Sequence, residues 1–142
     1  MAIAFHPEQG SILTCDFSTG FMPPEMVKRR PVLVMSPIIK SRPGLCTVVC
    51  LSTQKPDPIM PYHMPITLPE PLPRNWENED NWVKGDMVYA VSFTRLSFAV
   101  LGKDRIGKRL YYRNTIPNAE IQAVQRCILH SFGLGALTKH VI

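Results

Sequence analysis

Six short runs rich in β-branched and other apolar residues fill most of the first hundred positions, at 11–17 (SILTCDF), 31–36 (PVLVMS), 46–52 (CTVVCLS), 63–68 (HMPITL), 86–93 (DMVYAVSF) and 96–101 (LSFAVL). Turn-forming residues separate them, so each has the length of a strand and not of a buried helix. Strands of this size at this spacing curl into a small barrel, which buries one face and limits exposed edges. Around them, 18–30 forms a long loop with Gly20, Pro23 and Pro24, while 54–61 and 69–81 are proline-rich excursions flanking the fourth run. Fourteen prolines in 142 residues are roughly twice the usual share of about 5%, whereas eight glycines are ordinary. The chain is therefore turn-rich without being low-complexity. Near the C-terminus the period changes: Ile121, Val124, Ile128 and Phe132 fall at helical spacing within 118–132, with Pro117 to start a helix and Gly133 to end it. The expectation is one domain over 1–142, mainly β, an SH3-like small barrel with a C-terminal α-helix lying across it.

Composition narrows the class. Hydrophobic residues make up 45% of the chain and charged ones 19%, as expected of one compact soluble domain. No apolar run approaches the roughly 18 to 20 residues of a bilayer crossing, because the best stretch, 31–39, is cut by Ser36 and Pro37. The start, MAIAFHPEQG, has no basic region and no sustained apolar core, so no secretory signal or membrane association is expected and the placement is cytoplasmic. Cys15, Cys46, Cys50 and Cys127 show no C-x-x-C spacing and lie in apolar stretches, which predicts reduced core residues. Cys46 and Cys50 with His63 do not supply the four close ligands of a closed zinc site, so neither a metal nor another cofactor is expected.

Sixteen Lys and Arg against eleven Asp and Glu leave a formal charge of +5. The charges are blocked: Lys28, Arg29, Arg30, Lys40 and Arg42 form one basic group and Lys103, Arg105, Lys108, Arg109 and Arg113 another, with Glu70, Glu77, Glu79, Asp80 and Asp86 between them. Such blocks favour an anionic partner, nucleic acid first, although solvated loops also collect charge for solubility. Trp76, Trp82, Met22, Met26, Met60 and Met64 lie in or beside loops and fit either an adaptable apolar surface or ordinary packing. Tyr111 and Tyr112, ahead of Arg113, fit RNA stacking and a core-facing strand equally well.

The segment Gly20 to Ser36, GFMPPEMVKRRPVLVMS, sets a carboxylate, a basic pair and a proline immediately before a buried strand. Loops anchored in this way hold sites, yet Glu25 and Arg30 also fit a surface ion pair. With Asp16-Phe17 before it, and Arg30-Pro31 running into VLVMS, this segment resembles the start of the PemK/MazF toxins, metal-independent messenger RNA endoribonucleases of bacterial toxin–antitoxin systems. VVCLST, ending at Ser52 and Thr53, resembles their second signature, and GDMVYAVSFTRL, from Gly85 to Leu96, their third. The resemblance implies a sequence-selective endoribonuclease that acts on single-stranded RNA, forms a homodimer and is neutralised by a cognate antitoxin. It also implies site roles: Arg30 at the scissile phosphate, Ser52 and Thr53 holding its oxygens, Glu25 as the neighbouring carboxylate, and Lys28, Arg29, Tyr89, Ser92 and Arg95 on the RNA.

Those residue types suit the chemistry. Metal-free RNA cleavage needs a base for the 2′-hydroxyl, stabilisation of the phosphorane and an acid for the 5′-oxygen. A guanidinium grips two phosphate oxygens at once, but it gives up a proton reluctantly. His6 and His63 titrate in the range an acid needs and also fit plain loop or strand positions. Family members commonly carry an arginine and an aspartate where this chain has Tyr89 and Ser92, and 55–81 is longer than the family pattern. That departure keeps a rival open: a toxin fold acting by protein contact alone, as a gyrase-directed CcdB-like binder or a decayed toxin.

Overall fold

A computed structural model gives the fold for residues 2–72 and 80–142. The expected Trp76, Glu77 and Glu79, with most of the second excursion, lie outside the described residues. Six strands form one antiparallel sheet: β1 (Ile12–Asp16), β2 (Arg29–Val34), β3 (Leu45–Ser52), β4 (His63–Thr67), β5 (Asp80–Ser92) and β6 (Leu96–Ser97), in the order β4-β5-β3-β2-β1-β6. Two more, β7 (Val100–Lys103) and β8 (Arg109–Tyr111), pair as a separate hairpin, and α1 (Asn118–Ser131) follows. A 3-10 turn over Gly135–His140 ends the chain. No ladder joins β4 to β6 among the described residues, so the sheet stays open at that seam.

Alternation along the strands feeds two cores. Ile12, Leu33, Val49, Leu51, Ile66 and Val83 face α1, packing with Ile121 and Val124 and with Tyr112, which lies just beyond β8. Leu13, Cys15, Phe17, Val32, Val34, Val48, Cys50, Val91 and Leu96 pack on the opposite side. Burial on both faces is why the strands carry near-continuous apolar runs rather than a clean apolar-polar alternation. All four cysteines are free and buried, in line with the expectation.

Three boundaries depart from the sequence reading. β5 begins at Asp80, six residues before the expected run, because Asn81 and Val83 are buried opposite β4. The run 96–101 divides at Phe98-Ala99 into β6, paired with β1, and β7, paired with β8. α1 stops at Ser131, and Phe132 is 65% exposed rather than core-facing, since Gly133 at φ +73° turns the chain away. No helix among the described residues is long and apolar enough to cross a membrane.

Candidate active site

The loop after β1, one end each of β2 and β3 and the middle of β5 line a cavity of about 390 Å³. Pro24, Glu25, Met26, Val27 and Lys28 come from the loop, Arg30 from β2, Leu51 and Ser52 from β3 with Gln54 just beyond, and Lys84 and Met87 from β5. Strand parity accounts for the polar residues of the lining. Arg30 is the ladder partner of Cys15, and Lys84 of Cys50, so both stand on the face of the second core, as does Ser52 two residues after Cys50. Arg29 and Thr53 fall on the other parity and do not line the cavity. Arg29 instead approaches Asp16 at 3.7 Å, its cross-strand partner, with a mostly exposed side chain.

Among the described residues Arg30 has no carboxylate within ion-pair distance, so the alternative of a Glu25–Arg30 surface pair is not what the chain forms. Its Nε is buried and lacks a hydrogen-bond partner among the described residues. A buried charged donor left unpaired is costly, and the cost is recovered when an anion accepts from it. Glu25 is exposed at the rim and its Oε1 accepts from the Met22 amide at 2.8 Å, while its own amide donates to the Met22 carbonyl, also at 2.8 Å. Ser52 Oγ accepts from the Gln54 amide at 3.1 Å, which leaves its hydroxyl proton available for donation into the cavity.

Tyr89, Ser92 and Arg95 lie outside the cavity lining and are engaged by the protein itself. The Tyr89 hydroxyl accepts from the Met26 amide at 3.1 Å, and its ring packs against Phe17 and Phe21 with centroids 5.2 and 5.5 Å apart. Burial raises the Tyr89 pKa against the lowering effect of that bond, so the phenol stays protonated at neutral pH. Arg95 Nη1 donates to the carbonyls of Asp16 (3.0 Å) and Thr19 (2.8 Å), and its guanidinium lies 4.8 Å over Phe21. Gly20, at φ +81°, keeps that contact open: a Cβ there would meet Arg95 Nη2 at 3.2 Å. Ser92 Oγ accepts from the Thr94 amide at 3.2 Å, capping the 3-10 turn Phe93–Arg95 that aims Arg95 at the loop. These three residues brace the segment that carries Glu25 and Lys28.

Lys84 is the site residue that sequence reasoning missed. Between Val49 and Cys50 the β3–β5 register shifts, and β5 carries Gly85, Asp86 and Met87 as extra residues there. The Gly85 amide donates to the Tyr62 carbonyl at 2.8 Å, and a Cβ on Gly85 would stand 2.5 Å from that oxygen and 3.1 Å from the Cys127 carbonyl carbon. Glycine therefore lets β5 pass between the loop before β4 and α1. The only signal in the sequence was the glycine between Lys84 and the expected strand, a common mark of a bulge. Burial above all pushes the Cys50 thiol up to about 12, while Arg30 and Lys84 pull it down; it remains a neutral thiol between two cations. Neither histidine lines the cavity: His6 Nδ1 lies 2.7 Å from the Pro7 carbonyl, and His63 Nδ1 accepts from the Met60 amide at 3.0 Å. Burial lowers the His63 pKa, with Lys84 acting in the same direction and Asp86 against it.

The family model of PemK-like, MazF-like toxins of type II toxin–antitoxin systems matches residues 8–132. The uncharacterized protein YifN of Escherichia coli (strain K12) is 28% identical over 92% of this chain and 95% of its own length. Among solved structures, an endoribonuclease in complex with its cognate antitoxin from a mycobacterial species superposes with TM-score 0.60 at 17% identity, covering 91% of this chain and 97% of that one. MazF from Deinococcus radiodurans gives 0.58 at 18%, covering 92% and 99%. At these identities the likeness is one of fold.

Proposed function

The chain belongs to the PemK-like, MazF-like toxins of type II toxin–antitoxin systems, and on that premise we propose that it is an endoribonuclease cutting single-stranded messenger RNA in the cavity around Arg30, without a metal. The observation that carries this reading is the buried, unpartnered Nε of Arg30, in a cavity it shares with Lys28, Ser52, Lys84 and the Glu25 carboxylate. A protein that worked by contact alone would have no use for a half-buried arginine whose Nε is left unpaired beside a cavity.

In the proposed reaction the ribose 2′-oxygen attacks the adjacent phosphorus and gives its proton to Glu25. Arg30 and the Ser52 hydroxyl hold the non-bridging oxygens as charge builds on the phosphorane. The bond from phosphorus to the 5′-oxygen then breaks, and the leaving oxygen takes a proton, for which the donors in this proposal are the ammonium groups of Lys28 and Lys84, two residues of the same cavity lining. The products are a 2′,3′-cyclic phosphate and a 5′-hydroxyl end. Thr53 and Arg29 flank the path outside the cavity, and Tyr89, Ser92 and Arg95 act by holding the loop. The homodimer, the cytoplasmic setting and neutralisation by a cognate antitoxin come with the family and belong to the same proposal.

Incubating the purified protein with a long single-stranded RNA in EDTA and mapping the fragment ends tests the reading. Cuts at one recurring short sequence, ending in cyclic phosphate and 5′-hydroxyl, are expected. Cleavage that appears only when divalent cations are added would overturn the metal-free mechanism. No cleavage under either condition would leave a contact-only toxin fold, the CcdB-like or decayed alternative.

A further inference from the structure

The hairpin formed by β7 and β8 supplies nothing to the cavity, yet it holds four of the five cations of the second basic block, and the fifth, Arg113, follows it closely. Its tip is ordered by Asp104, whose amide donates to the Lys108 carbonyl at 2.8 Å and whose Oδ1 accepts from the amides of Ile106 and Lys108 at 3.0 and 2.9 Å. Asp104 is the only acidic residue between 100 and 113. Lys103, Arg105, Lys108 and Arg109 are all exposed, and among the described residues none of them has a carboxylate within ion-pair distance.

The two faces of the hairpin differ. Tyr112, just past β8 and fully buried, packs into the core shared with α1 and anchors the base of the hairpin, while every residue of β7 and β8 is exposed; Gly102 and Leu110 pair on one face. Register pairs Lys103 with Arg109 and Val100 with Tyr111, and alternation puts Arg109, Tyr111 and Arg113 together on the other face. There the Arg113 guanidinium lies 4.7 Å over the Phe98 ring and 5.8 Å from that of Tyr111. Unpaired cations interleaved with flat π surfaces fit a partner that carries both regular negative charge and planar groups. An acidic protein would use the cations and leave the stack idle.

We propose that the outer face of this hairpin is a second binding surface for single-stranded RNA, gripping phosphates with Lys103, Arg105, Lys108 and Arg109 and stacking a base on the Tyr111–Arg113 pair. The proposal rests on the ribonuclease reading above and adds to it a surface distinct from the scissile site.

The test uses a fluorescein-labelled single-stranded oligoribonucleotide of about 20 nucleotides, longer than the roughly 4 to 16 that a small fold covers. It is 2′-O-methylated throughout so that it cannot be cut, and its anisotropy is followed across a salt titration. Neutralising three phosphate contacts in the triple variant Lys103→Gln, Arg105→Gln, Lys108→Gln should make the log Kd against log salt slope shallower by about 2, at roughly 0.7 per contact. Tyr111→Ala should weaken binding about tenfold at every salt concentration. Circular dichroism melts matching wild type establish that both variants fold. Wild-type slope and affinity in both variants, with wild-type protein still cutting RNA, would overturn the hairpin surface and leave the ribonuclease reading intact. Failure of wild-type protein either to bind the oligonucleotide or to cut RNA would overturn both. A shallower slope with Tyr111→Ala unchanged, and equal competition by a poly-glutamate peptide, would identify an acidic-protein surface and overturn the RNA proposal.

Discussion

Arg29 and Arg30 are neighbours in the chain, and the two-residue period of β2 sends them to opposite faces of the sheet. Arg29 meets solvent and Asp16, whereas Arg30 lines the cavity and has its Nε buried. Asp16 is a half-buried anchor whose carboxyl is held below its ordinary pKa first by hydrogen bonds from Ser18 and then by Arg29. This asymmetry makes an internally controlled experiment. Arg30→Lys keeps the charge and loses the planar grip, and loss of one such contact raises the barrier by roughly 3 kcal/mol, about a hundredfold in rate. Cleavage by Arg30→Lys and Arg30→Ala should therefore fall severely in a folded protein, while RNA binding falls less and Arg29→Lys stays near wild type. Equal rates in all three variants would dismiss Arg30 from the site. Tyr89, Ser92 and Arg95 teach the converse: residues that the motif comparison put on the RNA are occupied by bonds to the protein's own backbone and side chains. Chemical type alone does not say whether a polar group faces a ligand or braces a loop.

At the scale of elements, β5 joins the site to the helix. Its extra residues at Gly85, Asp86 and Met87 set Lys84 opposite Cys50 and Met87 at the cavity, and they bring Gly85 against α1. Of the three atoms a Cβ would strike at Gly85, the Tyr62 oxygen and the Cys127 carbonyl carbon belong to backbone and the third is the Cys127 Cβ, fixed to its own backbone, so none can swing aside. Gly85→Ala should thus destabilise the fold by about 1 to 3 kcal/mol, the range for overpacking, and lower cleavage at temperatures where the variant is still folded. Thermal melts and initial rates on the same preparation check it. A variant that melts and cuts like wild type would mean that β5 accommodates the methyl group and that the close passage is not structural. The bulge was hidden from the sequence reading for a physical reason. The period of two breaks at Gly85, so a pattern search ends the strand where the chain merely steps sideways.

For the whole molecule, two cores back to back on one sheet leave the thiols without water. Burial, the largest influence at each, pushes Cys15 and Cys50 up to about 12 and Cys46 to about 11. The folded protein keeps these protons at pH values where the unfolded chain, near the ordinary 9.0, has released them. Stability from the thiols is therefore complete below about pH 9 and declines as pH rises toward 12. The urea midpoint should fall between about pH 8 and about pH 10.5, and the double variant Cys15→Ala, Cys50→Ala should lose less over the same interval. Native protein at neutral pH should leave thiol reagents unreacted until it unfolds. Equal losses for wild type and the double variant would assign the alkaline transition to other groups.

Local pattern determined much by itself. Runs of β-branched residues marked where strands form, the spacing of Ile121, Val124 and Ile128 marked the helix, and the apolar setting of the four cysteines marked them as buried, because each of these signals repeats within a few residues. The same local reading set Glu25, Lys28 and Arg30 together at one loop–strand junction. Only the tertiary structure decided the rest: the order β4-β5-β3-β2-β1-β6, the arrival of Ser52 and Lys84 beside Arg30, and the bracing of the loop by Tyr89 and Arg95 across separations of 63 and 79 residues. Which strand lies beside which, and which parity faces which core, follows from the joint packing of both sides of the sheet. No short stretch of the chain carries that information.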